Sequence, residues 1–179
     1  MILKRIENTA TPLFGEAMAL YREAFPAVER RDEDEHARVM QKSDYHLDVM
    51  TEDGAFVGIA MYWETEAFLF LEHLATLPHL RGQGYGAETL ACLKGKGKPV
   101  ILEIEPPVDV LTRRRRAFYE RNGFAMNEHY HLQTKFRPHD EDLELKILSY
   151  PRAVTAEEYG QFYAYLDREV ACVPRLGGK

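Results

Sequence analysis

Arg81, Gly82, Gln83, Gly84, Tyr85 and Gly86 form one run between an apolar, strand-like stretch and a helical one. A glycine-rich turn in that setting suits an anion. The amides of a first helical turn point outward, the helix dipole favours negative charge, and glycine lets the backbone approach phosphate closely. Each charge-assisted hydrogen bond there contributes about 1.5 to 3 kcal/mol and the dipole about 0.3 to 1, so amide contacts carry most of the binding. Arg81 adds positive charge at the rim. The spacing excludes two common nucleotide loops: one residue between Gly84 and Gly86 breaks the dinucleotide fingerprint, and no Lys-Ser or Lys-Thr follows as in a P-loop. The run reads as a loop that wraps a diphosphate.

Other residues offer proton chemistry. Glu72 follows Phe68-Leu69-Phe70-Leu71, and a charge in so apolar a run needs compensation, either functional use or an ion pair with an arginine. Strand alternation puts Glu72 with Phe70 and Leu74, opposite His73, unless a bulge intervenes. Glu103 and Glu105 alternate in the same way and share a face. His129 and His131 share a strand face, with His139 beyond, but no cysteine or carboxylate pattern completes a zinc site, so a solvated face and no metal are expected. The arginine run Arg113 to Arg116 reads as a solvated helix face or, alternatively, as a group of cations able to reach a ligand phosphate. Cys92, within a helix and facing the core, and Cys172 are too far apart in a chain without a secretory segment to suggest a disulfide framework; packed thiols in a reducing, cytoplasmic compartment are expected.

The elements that position these groups follow from pattern. With 179 residues, 45% of them hydrophobic, the chain suits one compact domain spanning 1–179. A net charge of -6 argues against nucleic-acid binding, and no apolar run approaches the ~18 residues of a membrane span. Ile2 to Glu7 alternates like a strand. Thr11 caps a helix running to Phe25, and the charged stretch from Glu29 to Gln41 reads as a mobile flap with a short surface helix. Tyr45 to Met50, Ala55 to Trp63 and Ala67 to Ala75 are strands, the first two joined by a hairpin at Asp53-Gly54. A helix from Ala87 to Leu93, a strand from Val100 to Ile104 and a helix from the Asp109 cap to Arg121 follow. Strands from Ala125 to Lys135 and Leu143 to Tyr150 bracket a polar turn, and an amphipathic helix over about 155–171 docks on the rest. The class is α/β (α+β), with a central, mostly antiparallel sheet of about six to seven strands flanked by helices.

The run from Arg81 to Gly86 resembles the Gln/Arg-x-x-Gly-x-Gly/Ala motif of the GNAT superfamily of N-acetyltransferases. Phe118-Tyr119-Glu120-Arg121-Asn122-Gly123-Phe124 resembles its closing Tyr-x-x-x-Gly-Phe signature. The resemblance covers about residues 3–150 and implies a single domain whose fourth and fifth strands splay apart to admit acetyl-CoA. By that resemblance Leu74, Ala75 and Thr76 offer backbone to the pantetheine arm. Arg81, Gly82, Gln83, Gly84, Tyr85, Gly86 and Ala87 hold the diphosphate, with the Thr89 hydroxyl assisting. Two positions depart from the motif, Thr112 where the family often has Asn and Arg115 where it often has Ala.

The implied reaction moves acetyl from acetyl-CoA to a primary amine of a small molecule by direct attack in a ternary complex. Only about 0.04% of an ordinary alkylamine is neutral at pH 7, a cost of about 4.6 kcal/mol, so a base is needed, and an acid must protonate the leaving thiolate. The resemblance gives the acid to Tyr119. Glu72 is the expected base, with His73 second and Glu103 and Glu105 as groups able to meet a cationic acceptor. The acidic flap, Asp32 to Glu35, favours such a cation, Arg30 and Arg31 suit a carboxylate, and a solvated charge run is the simpler reading of both. A silent acyl-CoA-binding module and an acetyltransferase of protein N-termini or lysines are the alternatives; a monomer or homodimer is expected.

Overall fold

The computed structural model describes residues 1–137 and 139–171, so Cys172 lies outside the described residues. They form eight strands and five α-helices, and the chain groups into two compact units, Met1–Val100 and a second beginning at Ile101.

The first unit is built on four antiparallel strands: β1 (Ile2–Arg5), β2 (Tyr45–Glu52), β3 (Ala55–Glu64) and β4 (Leu69–Thr76). Asp53 and Gly54 close the β2–β3 hairpin at φ 49° and 82°, the paired left-handed conformation that lets two strands keep their twist across a two-residue turn. Helix α1 (Pro12–Ala24) packs on β3 and β4 through a face that buries Ala17, Met18, Leu20 and Tyr21. Helix α2 (Glu33–Val39) starts at Asp32, whose side chain accepts from the Glu35 amide. This stretch departs from the expected solvated flap, because Arg31, His36 and Val39 are buried. Helix α3 (Tyr85–Lys94) packs on β4 and buries Thr89, Leu90 and Leu93. Cys92 falls on its opposite side and is exposed, contrary to the core position expected.

In β4 the register slips between Met61 and Tyr62 of β3, which pair with His73 and Leu71 and leave Glu72 as the extra residue of a bulge. Alternation is suspended there. Glu72 and His73, expected on opposite faces, are both buried, with Glu72 Oε2 3.9 Å from His73 Nδ1.

In the second unit β5 (Val100–Ile104) neighbours β8 (Glu144–Tyr150), which pairs antiparallel with β6 (Ala125–Met126) and β7 (His131–Leu132). The single strand expected over 125–135 is broken, and Asn127 supplies the reason. Its backbone N–H still bonds Ile147 O at 2.9 Å, but its side chain also donates to Ile147 O at 3.2 Å and Ser149 Oγ at 3.0 Å and accepts from the Val154 amide at 2.8 Å, tying the chain to the segment after β8 at the point where the strand stops. Helix α4 (Val110–Arg121) opens with a reciprocal capping box between Asp109 and Thr112. The departure at Thr112 is thereby accounted for locally. Helix α5 (Ala156–Tyr165) opens with a second capping box, Thr155 with Glu158, and runs into a π-helical turn at Leu166–Val170. Phe162, Leu166 and Val170 are buried.

Candidate active site

The glycine turn follows β4 through a 3-10 turn at Pro78–Leu80 and ends at α3. Gly84 is the residue before the helix, at φ +97°, and Gly82 lies at φ +80°. No side chain caps α3, and nothing lies within 4 Å of where a Cβ would stand on either glycine. Arg81 to Gly84 are exposed, while Tyr85, Gly86 and Ala87 form the first turn, whose amides have no intrahelical acceptor. These features fit an anion. The Thr89 hydroxyl does not assist, because it is buried and donates to Tyr85 O at 2.8 Å within its own helix. Leu74, Ala75 and Thr76 end β4 opposite Ala60, Ile59 and Gly58 of β3.

The bulge at Glu72 serves a buried polar cluster in the same unit. Glu72 Oε2 accepts from Arg31 Nη1 at 2.7 Å and Trp63 Nε1 at 3.2 Å. The Arg31 guanidinium lies 5.5 Å from the Trp63 ring centre and 5.9 Å from that of Tyr45, positions that add cation–π attraction to the ion pair. Burial acts to raise the Glu72 carboxyl, but the Arg31 charge outweighs it, with smaller help from His73 and the two hydrogen bonds, so the group sits below the ordinary carboxylate range. His73 packs between Tyr21 and Phe25, at 4.9 and 4.5 Å, and its Nε2 meets Glu29 O at 2.9 Å. Burial lowers its pKa. His36, ringed by Tyr21 and Tyr45, is lowered to about 4 by burial and then by Arg31. Among the described residues, Glu72 Oε1, the Tyr45 hydroxyl and both ring nitrogens of His36 have no hydrogen-bond partner.

The second unit carries Tyr119 near the end of α4, its ring 5.1 Å from Phe118 and 5.8 Å from Phe124. It is half-buried, and burial pushes its phenol up to about 12, with Arg115 lowering and Glu105 raising it. No described residue hydrogen-bonds its hydroxyl. The phenol therefore holds its proton at neutral pH with no internal claim on it. Glu105 is paired with Arg115, Arg116 bonds Glu120 at 2.8 Å, and Arg113 bonds Val108 O at 2.8 Å, leaving the run on an outer helix face as expected.

His131 corrects the sequence reading. Expected on a solvated face, it is 1% exposed, its Nε2 2.5 Å from Glu103 Oε1 and its Nδ1 3.0 Å from the Tyr159 hydroxyl. Alternation in a strand of two residues carried no signal of this, because the covering residues come from α5. Among the described residues no group of three His, Cys, Asp or Glu side chains could hold a metal, and no helix is long and apolar enough to cross a membrane.

Comparison with known proteins agrees with this arrangement. The sequence model of the Acetyltransferase (GNAT) domain matches residues 43–126, the stretch holding Glu72, the glycine turn, Glu103 and Tyr119. The YjbC protein of Bacillus subtilis, assigned as an acetyltransferase, is 30% identical over 138 residues, which are 76% of this chain and 70% of that protein. A structure from Bacteroides thetaiotaomicron, assigned to the GNAT acetyltransferases, superposes with a TM-score of 0.88 at 28% identity, covering 97% of this chain and 99% of that one. An aminoglycoside 6'-N-acetyltransferase solved with coenzyme A shares the fold at 13% identity, with a TM-score of 0.57 over 83% of this chain and 96% of that one. The chain belongs to the GNAT family of acetyltransferases.

Proposed function

We propose that the protein transfers an acetyl group from acetyl-CoA to the primary amine of a small, cationic molecule by direct attack. The observation that carries this reading is Tyr119, a phenol held protonated and free of hydrogen-bond partners among the described residues, at the motif position from which relatives protonate sulfur. The open, uncapped turn from Arg81 to Ala87 would bind the diphosphate of the donor, and the backbone of Leu74, Ala75 and Thr76 its pantetheine arm. The coenzyme A in the aminoglycoside enzyme supports the choice of donor.

In this reaction the amine, once deprotonated, forms a bond to the acetyl carbon, and the carbon–sulfur bond breaks with its electron pair going to sulfur. Tyr119 gives that sulfur its proton and regains one from the nitrogen that has become an amide. Glu72, the base expected from sequence, is better suited to another task. Its side chain is only 5% exposed and its Oε2 is taken by the fully buried Arg31 and by Trp63, so the carboxylate is closed in and already matched with a cation rather than presented to an amine. We assign Glu72 to holding Arg31 and keeping a fixed negative charge beside the buried aromatic rings.

The test is release of free thiol from acetyl-CoA over a panel comprising spermidine, tyramine, lysine and an alanine-initiated peptide. Turnover on a small amine that drops in Tyr119→Phe by about 10²-fold or more, with acetyl-CoA affinity retained, is the expected result. Binding of acetyl-CoA without thiol release on any amine would identify a binding module instead, and turnover on the peptide alone would identify a protein acetyltransferase.

A further inference from the structure

Glu103, the carboxylate of β5, is paired with a histidine rather than an arginine. Glu105 lies two residues on, just past the end of the strand, and is close enough to Tyr119 to raise its phenol. One oxygen, Oε1, is fixed by His131; the other, Oε2, has no partner among the described residues, and the side chain keeps 15% of its surface exposed. The support behind it is unusually complete. His131 has no exposed side-chain surface and spends both ring nitrogens, Nε2 on Glu103 and Nδ1 on Tyr159. Tyr159 donates to Tyr130 O at 2.8 Å and stacks on the His129 ring at 4.3 Å with the planes 6° apart, while Phe162 and Tyr163 close on His131 from the same helix at 6.1 and 6.0 Å. Burying an imidazole and fixing it at both ends only to orient a surface carboxylate has a cost, and a carboxylate held by one oxygen with the other open to a ligand is the arrangement a proton acceptor requires.

We propose that Glu103 removes the proton of the acceptor amine and that His131 and Tyr159 are positioning residues acting through it. This inference rests on the acetyltransferase reading above. The ammonium N–H bond breaks, its electron pair stays on nitrogen, and the proton bonds to Glu103 Oε2, from which it passes to solvent. His131 keeps Oε1 occupied, so Oε2 is the oxygen presented, and Tyr159 sets the ring angle of His131. The charged and titratable groups facing the pair are few: Tyr159 and Tyr163 from α5, His129 and Tyr130 beside His131, and Glu105, two residues along, with Arg115.

The test is a double-mutant cycle, using thiol release from acetyl-CoA with whichever panel amine the wild type acetylates fastest. Glu103→Gln should lower kcat by about 10²- to 10⁴-fold and leave the KM for acetyl-CoA within about twofold. His131→Ala should lower kcat by about 10- to 100-fold, His131→Gln, which can still donate to Oε1, should recover much of that, and neither should lower kcat further in the Glu103→Gln background, because residues acting as a unit are not additive. Tyr159→Phe, at the outer end of the chain, gives the same pattern more weakly and guards against failure of a buried variant to fold. Independent multiplication of the Glu103 and His131 effects overturns the proposal, as does a His131 effect that appears in the KM for acetyl-CoA alone. Full activity of Glu103→Gln overturns it while leaving the acetyltransferase reading intact; absence of wild-type turnover on every amine removes both.

Discussion

At the scale of single residues, Glu72 and Glu103 differ in what holds them. Glu72 is gripped by a guanidinium, and its carboxyl is pulled down; Glu103 is held by an imidazole and keeps one oxygen open. The first arrangement closes the carboxylate in; the second leaves an oxygen open to a ligand. A direct consequence concerns Glu72→Gln. The substitution keeps the shape but removes the carboxylate with which Arg31 is paired at a fully buried position, and breaking a buried pair from one side costs about 3 to 5 kcal/mol. Urea unfolding should show that loss, and adding Arg31→Met should restore part of it, since two apolar or neutral groups leave no buried charge. If Glu72→Gln were as stable as the wild type, the ion pair would not be holding the bulge. Gly84→Val tests the other half of the site: at φ +97° a β-branched residue is strained, and acetyl-CoA binding should be lost as measured by calorimetric titration.

At the scale of elements, local chemistry and long-range contact had unequal visibility. The glycine turn, the Asp53-Gly54 hairpin and the Asp109 cap could be read from sequence because each is determined by residues within a few positions of one another. Arg31 and Glu72 are 41 residues apart, and Glu103 and His131 are 28 apart, so neither pairing leaves a trace in spacing. The bulge at Glu72 is likewise silent, because apolar alternation looks the same with or without an extra residue. The clearest failure of pattern is the strand expected over 125–135, where Asn127, 3% exposed, keeps its backbone bond to Ile147 but adds side-chain bonds to Ser149 and Val154, and pairing resumes only at His131. Asn127→Ala would orphan the Val154 amide and the groups on β8, at about 1 to 3 kcal/mol for each group left unsatisfied. The urea midpoint should fall with the slope unchanged; an unchanged midpoint would mean that β6 and β7 do not depend on this residue.

At the scale of the whole molecule, the buried histidines make stability depend on pH in a direction that can be fixed. His36 has a folded pKa of about 4 against an ordinary 6.5, and burial lowers His73 as well. As pH falls below about 6.5 the unfolded chain takes up protons that the folded chain refuses, so stability present above that value is lost progressively until the folded ring itself titrates near pH 4. The full difference for His36 is about 3 kcal/mol, of which about 2 is lost by pH 5. For a chain of this size that corresponds to a fall in Tm of about 4 to 8 °C between pH 7 and pH 5 from this residue alone. Glu72 acts at lower pH, its contribution being lost only as pH falls below about 4.5, so the two effects separate on the pH axis. Replacing His36 by Phe keeps a flat ring against Tyr21 and Tyr45 and removes the titration. Thermal unfolding of His36→Phe should therefore show a smaller Tm difference between pH 7 and pH 5 than the wild type, whatever its stability at neutral pH. An undiminished difference would place the acid sensitivity elsewhere and show that the ring of His36 accepts a proton in the folded chain as readily as in the unfolded one.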